Sequence, residues 1–251
     1  MMGEVRIMRP MEWARPIRPV RREVLVATPE EDDGRPPVLF VPGFGHGAWA
    51  FAEHWLEHTA SRGFPAYAMS LRGHGGSGKG DRTTLRAYTH DVVQVAASLP
   101  RQAVLVGHGA SGLVVARALA RYPARAGILL APVLGGWRAW LGALRRPNRR
   151  RLFSRELPDK TARAYAARLG KAAVLARWQL LMPRDLERPV GDPPMLVVGS
   201  PDDRIVARSA LERAARRYAA APLLFPGMGH DLMLDARWRE PIDAMLDWLE
   251  K

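Results

Sequence analysis

The sequence predicts an α/β domain in which helices cover both faces of a mostly parallel sheet. Short, continuously apolar runs such as residues 37–41 (PVLFV) and 126–131 (AGILLA) are typical of strands buried on both faces. Stretches of helical composition separate these runs, and strands that alternate with helices favour a parallel sheet. A chain of 251 residues is long enough for one such domain with a large core.

The predicted elements follow one another in a regular order. The acidic residues 30–34 (EEDDG) are expected at the tip of a hairpin that joins the first two strands, and Thr83 is expected to cap a helix that reaches about Leu99. Strands are predicted at residues 23–27, 37–41, 65–71, 103–106, 126–131, 194–198 and 223–225. Further helices are predicted at about 48–62, 113–122, 207–219 and 237–250.

One segment, residues 133–194, differs in composition from the rest of the chain. It has 14 Lys and Arg against 5 Asp and Glu, so it holds +9 of the net charge of +13. We predict a basic helical lid at 133–194, inserted into a core formed by residues 1–132 and 195–251. The arginine-rich run at 145–151 is expected to be exposed. The tryptophans of this segment are expected to pack within the lid: Trp137, Trp140 and Trp178.

The amino-acid composition excludes several kinds of functional site. The absence of cysteine excludes disulfides, thiolate metal sites and a cysteine nucleophile, and it is consistent with a cytoplasmic protein. Neither an apolar run of membrane-spanning length nor a secretory signal is evident. The positive charge favours anionic ligands, but no nucleic-acid motif accompanies it. We expect a small-molecule ligand or substrate, no nucleic-acid partner, no metal and no cofactor.

The stretch at residues 103–113 reads AVLVGHGASGL, which predicts a strand, a tight turn and the start of a helix. Small residues, among them Gly107 and Ser111, stand where the helix must pack closely against the strand. The stretch resembles the nucleophile elbow of the α/β-hydrolase family, written G-x-S-x-G. Where that family carries its nucleophilic serine, this chain has Gly109.

Further segments resemble the same family, and each follows a predicted strand. They are PGFGHG at 42–47, LRGHGGS at 71–77, GSPDDRIV at 199–206 and GMGHD at 227–231. Together with the elbow they cover nearly the whole chain in the family's order, so the resemblance implies an α/β-hydrolase fold. Ligands of open α/β sheets bind at the carboxyl ends of the strands, where all of these loops are expected.

The resemblance also implies roles for individual residues. His230 matches the family's base, and Asp203 matches its acid better than Asp202 does. A carboxylate on one imidazole nitrogen fixes the tautomer and stabilises the imidazolium that forms during proton transfer. The main-chain N–H groups of Phe44 and Ala110 match the oxyanion hole.

A ligand pocket is expected between the lid and the sheet. Besides the oxyanion loop and Gly109, its expected lining comprises His46, His108, Ser111 and Met228 as substrate-binding residues. Ser111 is a weak candidate for a substitute nucleophile, because it lies beyond the turn. If residues 109–113 (GASGL) are read against G-x-S-x-G, the last glycine is missing. Asp231 is expected at a local cap or at the surface.

Three functions remain open, because glycine has no oxygen with which to form an acyl-enzyme. In the first, His230 and Asp203 act as a general base in a non-covalent hydrolysis, lyase, isomerase or cyclisation reaction. In the second, the chain is a pseudoenzyme that binds a ligand without turnover. In the third, it is a serine esterase in which glycine has been substituted for the nucleophile. Two substitutions distinguish these hypotheses. One is the loss of His230, which abolishes activity only in the first hypothesis, and the other is a serine at position 109, which switches on ester hydrolysis in the third.

Overall fold

The computed structural model describes residues 16–79, 83–135, 148–182 and 186–251. Its sheet has seven strands: β1 (Val24–Ala27), β2 (Val38–Val41), β3 (Ala66–Met69), β4 (Val104–His108), β5 (Ala126–Leu130), β6 (Met195–Gly199) and β7 (Leu223–Leu224). Their order across the sheet is β1-β3-β2-β4-β5-β6-β7. β1 runs antiparallel to β3 and every other neighbouring pair is parallel, which confirms the predicted mostly parallel sheet.

Helices cover both faces of this sheet. The described helices are α1 (Trp49–Ala52), α2 (Trp55–Ser61), α3 (Leu85–Ala97), α4 (Ser111–Leu119), α5 (Arg149–Leu152), α6 (Asp159–Ala167), α7 (Val174–Leu181), α8 (Arg208–Arg216) and α9 (Arg239–Leu249). Because side chains alternate along a strand, Phe40 packs on one face with α1, α2 and α9, while its neighbour Leu39 packs on the other with α3, α4 and α8. No described helix is long and apolar enough to cross a membrane.

Three local expectations are corrected by the structure. The predicted hairpin between β1 and β2 is wrong, because β2 already has parallel partners on both sides and β1 pairs with β3 instead. The single helix expected at 48–62 is two helices, since the backbone leaves helical geometry at His54. The cap of α3 is Thr84 rather than Thr83, and its hydroxyl accepts a hydrogen bond from the Ala87 amide at 3.1 Å.

Helices α5, α6 and α7 lie between β5 and β6 in the chain, where the lid was predicted. Trp137, Trp140 and the start of the arginine-rich run fall outside the described residues. Within that run Arg150 is exposed, whereas Arg149 is half-buried and pairs with Asp159. The prediction that Trp178 packs within the lid is wrong, because 63% of this residue is exposed.

The end of β4 is packed very tightly against α4. A β-carbon added to Gly107 would lie 2.7 Å from both the Ser111 carbonyl oxygen and Val115 Cγ2. Since real β-carbons essentially never come so close to other atoms, only glycine lets the helix return directly over its strand. This contact fixes the turn at residues 108–110.

We predict that Gly107→Ala lowers the free energy of unfolding by about 1–3 kcal/mol, because the added methyl group overpacks the strand–helix contact. Gly78→Ala is the matched control. A β-carbon there would have no neighbour closer than 3.5 Å. Chemical denaturation of the two variants tests this packing, and equal stabilities would contradict it.

Candidate active site

The turn after β4 places Gly109 in the left-handed region, with φ of +54°. Its amide donates to the Leu130 carbonyl at 2.9 Å, and its own carbonyl accepts from the Val133 amide at 2.8 Å. Both main-chain groups of Gly109 are therefore held by the end of β5 and the residues after it. A side chain at this position would be strained, so glycine relaxes the turn.

Asp203 and His230 come together from the loops after β6 and β7. His230 Nδ1 lies 2.7 Å from Asp203 Oδ2, while Asp203 Oδ1 accepts from the amides of Ile205 at 2.6 Å and Val206 at 3.0 Å. Because an ionised carboxylate only accepts, the proton of the neutral ring is on Nδ1 and the lone pair is on Nε2. Asp202 instead accepts from the Gly227 amide at 2.7 Å.

The free nitrogen of His230 faces the turn at Gly109. A β-carbon built on Gly109 would lie 3.2 Å from His230 Nε2, the nearest of its neighbours, and 3.9 Å from Gly43 Cα. The absent side chain leaves a small niche between the imidazole and the loop that follows β2. His230 itself is only 6% exposed, so the niche is well screened from solvent.

Two effects oppose each other in the pKa of His230. Burial alone would lower this pKa, since it disfavours the charged ring. The negative charge of Asp203 and the hydrogen bond to it outweigh burial, and they raise the pKa of His230 above its ordinary value. The ring is thus a stronger proton acceptor than a free imidazole.

The predicted oxyanion donors border the same niche. Within the described part of the chain, neither the Phe44 amide nor the Ala110 amide donates to a protein acceptor. The Phe44 ring packs against Tyr88, with 5.1 Å between the ring centroids, which steadies the loop that carries its amide. Both N–H groups therefore remain available to a ligand oxygen.

A second carboxylate lies behind His230. Asp231 is completely buried, and its Oδ2 lies 3.0 Å from His46 Nε2. His108 Nε2 lies 3.2 Å from the main-chain oxygen of His230 and 3.5 Å from Asp231 Oδ1. Asp231 does stand at the N-cap position of a short 3-10 helix, Leu232–Leu234, but its side chain makes no capping hydrogen bond, and the expectation of a surface residue is wrong. The apolar run that follows it, LML, was the signal in the sequence that this loop enters the core.

The buried cluster holds His108 in its neutral form. Burial, assisted by the nearby His230, lowers the pKa of His108 to about 3. Neutral His108 donates its Nε2 proton to the His230 carbonyl and so fixes the main chain of that residue. Burial alone would raise the pKa of Asp231, but the charge and hydrogen bond of His46 lower it below its ordinary value.

The geometry of this cluster does not favour a bound metal ion. His46, His108 and Asp231 offer ligand atoms that all lie within 4.8 Å of one another. A histidine that binds a metal normally donates its second ring nitrogen to a neighbour. Here Nδ1 of both His46 and His108 is buried without a partner among the described residues. The hydrogen bonds to Asp231 and to the His230 carbonyl account for the cluster better than a metal does.

Two predicted pocket residues lie in the packed interior. Ser111 is fully buried, and its hydroxyl donates to the Pro42 carbonyl at 2.6 Å, so this oxygen is already committed. Met228 is 1% exposed and belongs to the core. No contact with a substrate follows from either position. Two surface cavities, of about 380 and 560 Å³, are lined by none of the predicted site residues.

The segment between β5 and β6 contacts two of the site loops. The Gly170 amide donates to the Gly45 carbonyl at 2.7 Å, beside Phe44. The Asp231 amide donates to the Leu152 carbonyl at 2.9 Å, next to His230. A β-carbon on Gly229 would overlap the backbone of residues 152 and 153, so a glycine is needed for this approach.

Comparison with known proteins identifies the family of this chain. A profile of the alpha/beta hydrolase family matches residues 38–245, and the chain belongs to that family. No curated protein sequence matches significantly.

Similar solved structures show the same fold. A monoacylglycerol lipase from Paleococcus ferrophilus has 19% identity and a TM-score of 0.71, over 92% of this chain and 98% of that one. An esterase from Rhodococcus sp. ECU1013 has 19% identity and a TM-score of 0.71, over 92% and 94%. An esterase from Exiguobacterium antarcticum has 14% identity and a TM-score of 0.72, over 92% and 96%. At these identities the likeness is one of fold.

The buried state of His108 predicts a pH dependence of stability. Its folded pKa, about 3, lies below the ordinary value of 6.5, so its contribution is complete above 6.5 and is lost as the pH falls towards 3. Between about pH 6 and about pH 4, wild type is expected to lose about 1.4 kcal/mol per pH unit more than His108→Gln. Urea unfolding at several pH values measures this difference, and parallel curves would contradict it.

Proposed function

We propose that this α/β hydrolase uses His230 as a general base on a water molecule or substrate group bound in the niche at Gly109. The observation that carries the proposal is the 3.2 Å distance between His230 Nε2 and the position of a β-carbon at residue 109. In the family that position leads to the nucleophilic oxygen. Here the same imidazole faces a residue that has no side chain.

The proposed reaction needs no covalent intermediate. Nε2 takes a proton from the bound water, and the water oxygen attacks an electrophilic carbon of the substrate. Asp203 stabilises the imidazolium that results, and the amides of Phe44 and Ala110 donate to the oxyanion. The imidazolium then returns its proton to the leaving group. General-base catalysis of this kind contributes typically about 10²–10⁴-fold.

Several substrate chemistries suit this machinery. Similar structures are described as esterases and a lipase, which supports an ester or related acyl compound. The same base beside two N–H donors also suits proton removal next to a carbonyl group, as in a lyase, isomerase or cyclisation reaction. Gly109 excludes only the route through an acyl-enzyme at that residue.

A second candidate is a protein that binds a ligand without turnover. The φ of +54° at Gly109 favours it, because glycine relieves the strain that a serine would carry there. Loss of the nucleophile then stabilises the fold, and the site persists as a binding pocket. The two candidates differ in whether function depends on His230.

We predict that His230→Ala lowers kcat/KM for the hydrolysis of short-chain p-nitrophenyl esters by about 10²–10⁴-fold. In the wild type, kcat/KM should fall as the pH falls, because the base must be unprotonated. The midpoint should lie above 6.5, since the pKa of His230 is raised. Asp203→Asn should move this midpoint down.

The matched control is His58→Ala. His58 lies on α2 and is hydrogen-bonded to Asp243 at 2.6 Å, away from the niche, so its loss should leave turnover unchanged. Turnover that survives His230→Ala would reject the general-base mechanism. Specific ligand binding without turnover in both variants would favour the second candidate.

Restoring the missing oxygen gives an independent prediction. Gly109→Ser should form a covalent adduct with a fluorophosphonate, seen by mass spectrometry, because His230 Nε2 can activate the new hydroxyl. The positive φ should cost the variant about 1–3 kcal/mol of stability. Wild type and the double variant Gly109→Ser/His230→Ala should remain unlabelled.

The activity of Gly109→Ser also distinguishes a serine esterase with a substituted nucleophile from an enzyme that uses His230 as a general base without a covalent step. If Gly109→Ser hydrolyses esters far faster than wild type, the chain carries complete serine-esterase machinery that lacks only its nucleophile. If a folded Gly109→Ser protein stays unlabelled, the niche does not lie within reach of His230 as proposed.

A further inference from the structure

Helix α7 presents an apolar stripe to solvent. Val174, Leu175 and Trp178 on this helix are 69%, 44% and 63% exposed, and Met182, directly after its last residue, is 58% exposed. The opposite side of the helix, with Ala176 and Leu180, is buried. These four residues, Val174, Leu175, Trp178 and Met182, are named the α7 stripe. Contiguous exposed apolar surface on a globular protein typically marks an interaction site.

The surroundings of the α7 stripe are positively charged. Residues 168–182 include three basic residues and no acidic one, and of these three Arg168 is paired with Glu53. Lys171, just before the helix, is exposed and has no acidic partner among the described residues. The whole segment 133–194 carries most of the net positive charge. An apolar ridge with a tryptophan, flanked by basic side chains, is the pattern that binds anionic lipid surfaces.

The α7 stripe also lies at the rim of the candidate site. Gly170, four residues before α7, donates its amide to the Gly45 carbonyl at 2.7 Å, and Gly45 follows Phe44 directly in the chain. Gln179 on α7 accepts from the Leu85 amide at the start of α3 at 2.8 Å. A surface that contacts α7 therefore lies next to the loop that carries the Phe44 amide.

We infer that the α7 stripe docks this protein on a lipid bilayer that contains anionic phospholipids. Trp178 and its apolar neighbours enter the interface between headgroups and acyl chains, while Lys171 lies against the lipid phosphates. The mouth of the site then faces the bilayer, which presents amphiphilic substrates. Docking does not depend on the chemistry proposed for His230.

The experiment is vesicle co-sedimentation with the full chain. Binding to vesicles of phosphatidylcholine with phosphatidylglycerol should clearly exceed binding to phosphatidylcholine alone, and raised ionic strength should weaken it. Val174→Ser/Trp178→Ser should reduce affinity about tenfold or more, because two large apolar side chains no longer enter the lipid. Lys171→Gln should reduce it about fivefold.

Val26→Ser is the matched control, because Val26 is a 50% exposed apolar residue on β1, outside the insert. It should leave vesicle binding unchanged. Circular dichroism establishes that each variant is folded. Absence of binding by wild type, equal binding to the neutral vesicles, or undiminished binding by Val174→Ser/Trp178→Ser overturns the proposal. A dimer in solution that this double variant dissociates also overturns it, since the α7 stripe would then be covered by a second copy.

Discussion

The hydrogen bond between His230 Nδ1 and Asp203 Oδ2 determines the chemistry available to the site. It leaves Nε2 as the nitrogen that faces residue 109, and it stabilises the charged ring that proton transfer creates. The bond depends on the parallel order of β6 and β7, which brings the loops after both strands to one edge of the sheet. The order and direction of these two strands therefore fix the orientation of the His230 ring.

Asp203 and Asp231, two buried carboxylates, hold different parts of His230. Asp203 is fixed by two backbone amides and orients the ring, while Asp231 and His108 secure the loop from behind. A buried carboxylate requires hydrogen-bond partners, and here the His230 ring supplies one to Asp203 while the His46 ring supplies one to Asp231. Most of the net positive charge of the chain, +9 of +13, instead belongs to residues 133–194.

Much of the fold was predictable from the sequence, because apolar runs such as 37–41 and 126–131 identify doubly buried strands. The order of the loop motifs selected Asp203 and His230, and the structure places them in contact. Burial of Asp231 was missed, although the apolar run after it indicated that the loop enters the core. The sequence does not show that His46 and His108 lie against this carboxylate. The partner of β1 and the exposure of Trp178 were missed for a related reason. Local patterns show that a side chain is apolar, but only tertiary contacts decide what it faces.

The most direct test of the central claim is an NMR titration of His230 with nitrogen-labelled imidazole rings. The structure predicts a neutral ring protonated at Nδ1, a strongly hydrogen-bonded Nδ1 proton and a pKa above 6.5, and it predicts that Asp203→Asn lowers this pKa. A pKa at or below 6.5, or a neutral ring protonated at Nε2, would contradict the proposed base.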